Sequence, residues 1–427
     1  MENKISIMDK ISIAEFRKKV DNFLDKDDML LRHGLAIAFA NTLAMLINYF
    51  YQLITGRLLG PASYSIFGSL VAITYIFSVF GGVINTSIAK FCSEYKDDYG
   101  KIKTIFIRYS VKLLLISFFS FAIFYLLSPL ISRTLGIDSY ILIIMIGILI
   151  PISFLFSLFS GIMRGLQMFY KYSILTILHP ILKFAIGIPL LILGFGVFGA
   201  LFGFVSSSIL ICILSFLFLT FLLTSESMKI ESKEIIKYSF PVLIISLCIN
   251  SMINLDIILV KAIFSETEAG FYIASSTLMK VIFWIAGSII FVMFPKISSN
   301  KEKAKDILKS TLLYIISFSI IVLIFVALFS DFATIFTFGK EFANASPLLL
   351  PFGIAILIVS LNQVIANYSL AIGKNVTFSS LLFLIFSIIQ FLLIYLLHSS
   401  LLMVIYDIII ANLMLFILLS FKMEIFK

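Results

Sequence analysis

Twelve apolar runs of about 20 residues follow one another along the chain, separated by short polar or glycine-containing breaks. A helix crosses the roughly 30 Å hydrocarbon core of a bilayer in about 20 residues, and it satisfies its own backbone hydrogen bonds there. Only 13% of the 427 residues are charged, whereas soluble domains carry about 25%. We therefore expect an all-α polytopic membrane protein whose twelve transmembrane helices lie near residues 33–55, 64–89, 104–128, 139–163, 173–193, 197–223, 238–262, 271–293, 307–330, 347–372, 378–397 and 401–420.

The basic residues indicate the orientation of these spans. With the N-terminus inside, 26 of the 32 Lys and Arg residues lie in inner segments, 2 lie within spans, and only 4 lie outside. Basic loops stay on the cytoplasmic side, so we expect both termini to be cytoplasmic in a cell membrane. "Inner" and "outer" below refer to this orientation. The net charge of +9 then follows from topology and contact with anionic membrane lipid, and it requires no nucleic-acid partner.

Two pairs of connecting segments indicate an internal duplication. Residues 55–67, between the first two spans, resemble residues 260–272, between spans seven and eight, at an offset of 205. Residues 165–172 correspond to residues 371–378 at an offset of 206. Six spans per half is an even number, so both halves enter the membrane in the same direction and are related by a pseudo-two-fold axis along the membrane normal. Such a pair of six-helix lobes leaves a central cleft.

This duplication divides the chain into four parts. They are a cytoplasmic N-terminal segment at residues 1–32, an N-lobe at 33–223, a cytoplasmic linker at 224–237, and a C-lobe with a short tail at 238–427. Apolar residues between positions 11 and 24 suggest either a short amphipathic helix on the membrane or a plain solvated tail.

Motifs for enzymatic chemistry are weak or missing in the sequence. The three cysteines and three histidines are widely separated, which excludes a disulfide framework or a metal cluster of recognisable spacing. Gly194–Gly199 reads GxGxxG, but it lies between two membrane spans and is interpreted as a tight turn. The pair Asp97-Asp98 is interpreted as a solvated face. We expect no enzyme activity, no metal and no cofactor, while a coupling ion, Na⁺ or H⁺, remains open.

Ionisable side chains inside spans are the informative positions, because they are costly in hydrocarbon and usually face a cleft or a partner. Lys183 lies near the middle of span five, with His179 four residues earlier on the same helical face. Both a role in lining the cleft and a structural pairing are open for them. The other candidates within spans are Lys112, Asp256, Lys280 and Asp407, and for the last three the alternative is that they snorkel or pair with each other. Arg57 and Arg164 lie at interfaces, where anchoring to headgroups is the alternative.

Several segments together resemble the polysaccharide-flippase branch of the multidrug/oligosaccharidyl-lipid/polysaccharide exporter superfamily. The segments are residues 56–67, 89–94, 164–167, 193–203, 256 with 268–272, and 338–342, and the resemblance covers roughly residues 33–420. One departure is Ser65, where the family usually has glycine. The resemblance implies a V-shaped transporter of lipid-linked oligosaccharide that works by alternating access, with glycan-assembly proteins as potential partners. It also implies that cleft cations hold the diphosphate of a polyprenyl carrier, and Lys183 is where this chain could supply one.

Three functions compete on the residues alone. A flippase of an anionic amphiphile requires a polar, net-positive cleft, whereas a multidrug/cation antiporter of the same superfamily requires acidic residues there. The count within spans is three lysines to two aspartates, which favours an anionic substrate. The third candidate, a polytopic enzyme of glycan assembly, is disfavoured because every outer connection is shorter than about 20 residues.

Overall fold

The computed structural model describes residues 29–224, 226, 228, 233–299, 301–373 and 375–423. These residues form eleven α-helices joined by short connections, two of which contain 3₁₀ turns, Thr220–Thr224 and Lys340–Ala345. The amphipathic or solvated stretch predicted between residues 11 and 24 lies outside the described residues. The helices are α1 (Met29–Glu94), α2 (Tyr99–Leu135), α3 (Tyr140–Gly165), α4 (Phe169–Ile192), α5 (Gly196–Leu217), α6 (Lys233–Ile263), α7 (Glu266–Ser299), α8 (Ala304–Phe338), α9 (Ser346–Ile372), α10 (Val376–Leu396) and α11 (Leu401–Lys422).

Helix α1 is 66 residues long and contains the first two spans. Between the predicted spans 33–55 and 64–89, Gly60-Pro61 forms a kink with helix on both sides. Gly60 has φ 71° and ψ 170°, a conformation that is essentially restricted to glycine. Pro61 suits the first turn of the helix that follows, where its missing N–H is not needed. All eleven helices are long and apolar enough to cross a membrane, so the twelve predicted spans are present with two of them in α1.

Three helices extend well beyond their predicted apolar limits. α2 covers Tyr99–Leu135 instead of 104–128, α7 covers Glu266–Ser299 instead of 271–293, and α8 covers Ala304–Phe338 instead of 307–330. The hydropathy pattern detects only the part of a helix in hydrocarbon, whereas helical backbone continues into the headgroup region. The start of α2 is capped by Asp98, whose carboxylate accepts a 3.1 Å hydrogen bond from the backbone N–H of Lys101. Through this bond Asp98 acts as a helix cap, and the bond holds the pKa of its carboxyl below the usual value.

The helices pack as two lobes with the same internal arrangement. In the N-lobe (α1–α5), α3 packs against α1, α2 and α5, while α4 packs against α5 and α1. In the C-lobe (α6–α11), α9 packs against α7, α8 and α11, while α10 packs against α11 and α6. Each C-lobe contact is the counterpart of an N-lobe contact under the predicted duplication. The fold class predicted from the sequence, twelve spans in two six-helix lobes, is therefore confirmed.

The lobes meet mainly where α1 packs against α6 and α7, and the contacts at the outer half are close. Arg57 Nη1 donates a 2.9 Å hydrogen bond to the carbonyl of Phe336. Tyr64 and Thr277 share a 3.1 Å hydrogen bond between their hydroxyls. Gly270 lies so close to the backbone of Pro61 that a Cβ atom would overlap it. These contacts close the interface between the lobes at its outer end.

Candidate functional site

A cavity of about 330 Å³ lies between the lobes, inward of the closed interface. Helices α1, α4 and α5 line it from the N-lobe, and α6 and α7 line it from the C-lobe. Its polar lining comes mainly from the middle of these helices. The residues that contribute it are Asn48, Gln52, Tyr75, His179, Lys183, Asn250, Asn254 and Lys280.

Residues related by the internal repeat line this cavity from the two lobes. Met45 and Asn250 are 205 positions apart, as are Tyr75 and Lys280, and all four line it. The same offset relates Asn48 to Ile253, which also lines the cavity. The repeat therefore brings corresponding positions of the two lobes to the same cavity, and at one of them a lysine takes the place of a tyrosine.

Lys183 projects from α4 into the N-lobe side of this cavity, and only 2% of its surface is exposed. Its ammonium donates to Asn48 Oδ1 and lies 4.7 Å and 4.0 Å from the ring centres of Tyr51 and Phe204. Asn48 is held in place because its amide nitrogen donates to the carbonyl of Ala44 at 2.9 Å. The cation is thus held by a neutral oxygen and two aromatic faces, which do not neutralise its charge.

Lys280 is held in a parallel way on the C-lobe side. Its ammonium lies 3.3 Å from Asn254 Oδ1, and the amide nitrogen of Asn254 donates to the carbonyl of Asn250 at 3.0 Å. Lys280 forms no salt bridge within the described part of the chain, and neither does Lys183. Each lobe therefore contributes one lysine whose amine is anchored by an asparagine and not by a carboxylate.

The two aspartates predicted as site candidates lie inside the C-lobe, behind the cavity wall. Asp256 is 2% exposed, and its Oδ2 accepts a 2.8 Å hydrogen bond from the hydroxyl of Tyr272. Asp407 is fully buried on α11. Neither oxygen of Asp407 has a hydrogen-bond partner among the described residues, and the same holds for Oδ1 of Asp256. No aspartate or glutamate of the described chain lines the cavity itself.

Of the remaining candidates, His179 lies in the cavity and Lys112, Arg57 and Arg164 lie elsewhere. His179 lines the cavity one turn from Lys183, and its Nε2 is 3.1 Å from the hydroxyl of Ser208. Lys112 is exposed on α2, with its ammonium 5.5 Å from the ring centre of Tyr109, and it does not line the cavity. Arg57 belongs to the outer closure described above.

Arg164 lies at the inner end of α3. It donates to Asn85 Oδ1 and stacks 5.9 Å from the ring centre of Tyr172. These contacts within the N-lobe tie α3 to α1 and to the start of α4. The structure therefore brings together Lys183, His179 and Lys280, and it places Arg164 outside the group.

Sequence reasoning missed the neutral polar residues of the site. Asn48 and Gln52 are four residues apart on α1, as are Asn250 and Asn254 on α6, so each pair lies on one helical face. A search of the spans for carboxamides at this spacing, in addition to charges, would have found them. Gln52 Nε2 also donates a 2.8 Å hydrogen bond to Tyr75 Oη, which orders this wall of the cavity.

The arrangement is suited to an anion rather than to a cation. Two ammonium groups face a polar space without a lining carboxylate, and in a low-dielectric medium such a site attracts negative charge strongly. Carboxamides and hydroxyls around them can hydrogen-bond additional oxygen atoms. In the part of the chain that the structure describes, no cluster of three or more potential metal ligands is found.

Comparisons with known proteins agree with this architecture. Residues 30–301 match the family described as polysaccharide biosynthesis protein. An uncharacterized membrane protein of Methanocaldococcus jannaschii is 24% identical over 295 residues, which is 64% of this chain and 69% of the relative.

Two solved structures share the fold at low sequence identity. The lipid II flippase MurJ in an inward closed conformation superposes with a TM-score of 0.71 at 16% identity, over 92% of this chain and 87% of that one. A multidrug resistance MATE family transporter of the MOP superfamily, in an inward-facing conformation, also gives a TM-score of 0.71, at 15% identity over 91% and 98% of the two chains.

Proposed function

The chain belongs to the polysaccharide biosynthesis protein family, and on that premise we propose that it moves a lipid-linked oligosaccharide, or a related anionic amphiphile, across the cytoplasmic membrane. Transport would proceed by alternating access, with the central cavity opening to one side at a time. No covalent chemistry is part of this proposal.

One observation carries the proposal. The cavity presents Lys183 from one lobe and Lys280 from the other, each anchored by a neutral asparagine, and no carboxylate lines it in the described chain. A diphosphate that enters this space would meet two amines that form no salt bridge in the described chain. Charge-assisted hydrogen bonds of this kind offset part of the cost of removing the phosphates from water. The hydrocarbon chain of the carrier could remain in the bilayer.

A second candidate function, a cation-coupled multidrug antiporter, is favoured by the C-lobe interior. Asp256 and Asp407 carry buried oxygens that lack partners among the described residues, and a cation would neutralise them. The same two residues also suit a flippase driven by Na⁺ or H⁺, with the acids serving the coupling ion and the lysines serving the substrate. Substrate charge therefore distinguishes the two functions better than ion dependence does.

The test is transport by purified protein in proteoliposomes. We expect transfer of a fluorescent polyprenyl-diphosphate-linked oligosaccharide between leaflets, and little transport of a cationic dye. Na⁺ and pH gradients imposed separately would identify the coupling ion. The double variant Lys183→Ala/Lys280→Ala lacks both lysines of the cavity and should lose glycolipid transfer. Transport of the cationic dye alone would reject the flippase in favour of the antiporter.

A further inference from the structure

One face of α7 leads from the lobe interface to the inner end of the cleft. On this face Ile273 touches the N-lobe at Gly68, and Lys280 and Trp284 line the central cavity. Gly287, Phe291 and Phe294 continue the same face at steps of three and four residues. Phe291 is 50% exposed, so half of its surface is not covered by other residues of the described chain.

A second pocket of about 460 Å³ lies against this inner part. It is lined by Gly287, Ile290, Phe291 and Phe294 of α7 and by Gln363 and Asn367 of α9. None of these six side chains is charged, although Gly287 lies only three residues after Trp284, which lines the cavity that holds the two lysines. Its ligand is therefore expected to be a neutral group attached to an anion.

The two carboxamides give the pocket its polar chemistry. Gln363 and Asn367 are four residues apart on α9 and point to one side. Asn367 Nδ2 donates to the backbone carbonyl of Gln363 at 2.9 Å, which fixes that side chain. The side-chain oxygen of Gln363 is buried and has no hydrogen-bond partner in the described chain. Such an acceptor is costly unless a donor reaches it.

A sugar ring fits this combination better than a hydrocarbon chain does. Carboxamides accept and donate hydrogen bonds, which hydroxyl groups provide and alkyl chains do not. The exposed ring of Phe291 offers an apolar surface against which the C–H face of a pyranose can pack.

The distances along α7 fit a headgroup that extends from a diphosphate. At a rise of 1.5 Å per residue, Gly287 lies about 10 Å and Phe294 about 21 Å from Lys280 along the axis. A diphosphate held at Lys280 would place the first sugars of its glycan at this depth. We propose that the pocket lined by Gly287, Phe291, Gln363 and Asn367 is a subsite for a neutral sugar of the transported headgroup and determines which glycans are accepted. This inference rests on the proposed function.

Gly287 provides a variant that fills the subsite without disturbing the fold. A Cβ at Gly287 would meet no atom within 4 Å, so a leucine side chain there would project into the pocket. Gly82 is the matched control: it is the repeat-related residue, 205 positions earlier, its Cβ would also meet nothing within 4 Å, and it does not line the pocket.

Trp284 provides the readout, because it is the only tryptophan in the chain and it lines the cavity beside the subsite. The probes are polyprenyl diphosphate without sugar and polyprenyl diphosphate bearing a neutral tetrasaccharide, each titrated against the protein by Trp284 fluorescence. We expect Gly287→Leu to weaken binding of the glycosylated probe about tenfold or more and to leave the sugar-free probe unchanged. Gly82→Leu should affect neither. Gln363→Leu, which removes the unpartnered oxygen at similar size, should weaken only the glycosylated probe.

The other outcomes are equally decisive. Equal weakening of both probes by Gly287→Leu would mean that the pocket holds the hydrocarbon chain. The same loss in Gly82→Leu would mean general obstruction of the cleft, and unchanged binding of the glycosylated probe in Gly287→Leu and Gln363→Leu would mean that no sugar binds here. Each of these results overturns the subsite. Wild-type protein that binds neither probe would instead overturn the proposed function, and the subsite with it.

Discussion

Each lysine of the central cavity is held by an asparagine whose own amide nitrogen is tied to the carbonyl four residues earlier. That internal bond leaves the asparagine oxygen as the acceptor for the ammonium and fixes its direction. A carboxylate in the same place would hold the lysine more strongly but would cancel its charge. An asparagine positions the cation and preserves its attraction for an anion.

The contacts of Lys183 make a prediction for its removal. Because no buried carboxylate depends on Lys183 in the described chain, Lys183→Ala should fold and insert normally. It should lower flipping of the lipid-linked glycan about tenfold or more, since a hydrogen bond to a charged group contributes about 1.5–3 kcal/mol. Lys183→Arg should retain part of the activity because it keeps the charge.

Flipping rate and the amount of folded protein are measured on the same preparations. Lys112→Ala is the matched control, because Lys112 is exposed on α2 away from the cavity and its loss should leave transport unchanged. Normal flipping by Lys183→Ala at a normal protein level would remove Lys183 from the site.

Part of this site could be predicted from the sequence. Charge within a span singled out Lys183 and Lys280, because the cost of a charge in hydrocarbon does not depend on the tertiary fold. The same criterion selected Lys112, which is exposed on α2, and Asp407, which is buried within the C-lobe. Which face of a span meets the other lobe depends on packing between helices that are distant in sequence, and a single span does not encode it.

At the scale of the helices, apolar length predicted the spans well, since the bilayer imposes that length on any helix. Residues outside the hydrocarbon were less predictable. The connection between the first two spans was expected as a break, yet helix continues on both sides of Gly60, so α1 carries both spans. The turn predicted at Gly194–Gly199 occurs between α4 and α5, with positive φ at Gly194 and Gly196.

Because of the kink in α1, we predict that substitution by alanine lowers the free energy of unfolding more at Gly60 than at Gly136. Gly60 has φ 71° and ψ 170°, whereas Gly136, which caps α2, has the ordinary left-handed values of φ 61° and ψ 36°. Gly60→Ala should lower the free energy of unfolding by about 1–3 kcal/mol, because its backbone region is nearly closed to other residues. The new Cβ would also lie 3.0 Å from Glu341 Oε2.

Gly136→Ala is the control, and it should cost less, about 1 kcal/mol, because alanine tolerates the left-handed helical region better. Reversible unfolding of both variants in the same detergent, followed by circular dichroism, gives the comparison. Equal losses, or a larger loss at Gly136, would contradict the assignment of strain to the kink.

At the scale of the whole molecule, the structure places two inner segments side by side. Lys103 Nζ donates to the carbonyl of Leu223 at 2.8 Å, and Thr104 Oγ1 donates to the carbonyl of Met228 at 2.6 Å. The start of α2 and the segment after α5 therefore lie at one end of the bundle, as the distribution of basic residues requires.

Labelling of single introduced cysteines with a membrane-impermeant reagent tests the orientation. Positions in 96–103, 226–233 and 301–305 should react only from the cytoplasm, and positions in 264–268 and 340–345 only from outside, because basic segments remain inside. Labelling of positions 265 and 301 from the same side would show that the topology is wrong.

Close contacts join the two lobes at their outer end, whereas Phe291 near the inner end of α7 is half exposed. We therefore expect transport to require the separation of Gly68 from Ile273. A Cβ at Gly68 would lie 3.6 Å from the Cβ of Ile273, within the range of disulfide bonds. In a background where Cys92, Cys212 and Cys248 are replaced by alanine, the double variant Gly68→Cys/Ile273→Cys should lose transport on oxidation and regain it on reduction.

A second pair distinguishes locking of the lobes from any effect of a cross-link as such. The same 3.6 Å separates a Cβ at Gly81 from the Cβ of Ser157, but both residues belong to the N-lobe. Because each lobe moves as a unit in alternating access, Gly81→Cys/Ser157→Cys should form its disulfide and still transport. Transport by the oxidised 68–273 pair, with the disulfide verified by mass spectrometry, would mean that substrate crosses without separation of the lobes at this interface. Loss of transport in both pairs would mean that motion within the N-lobe is also required.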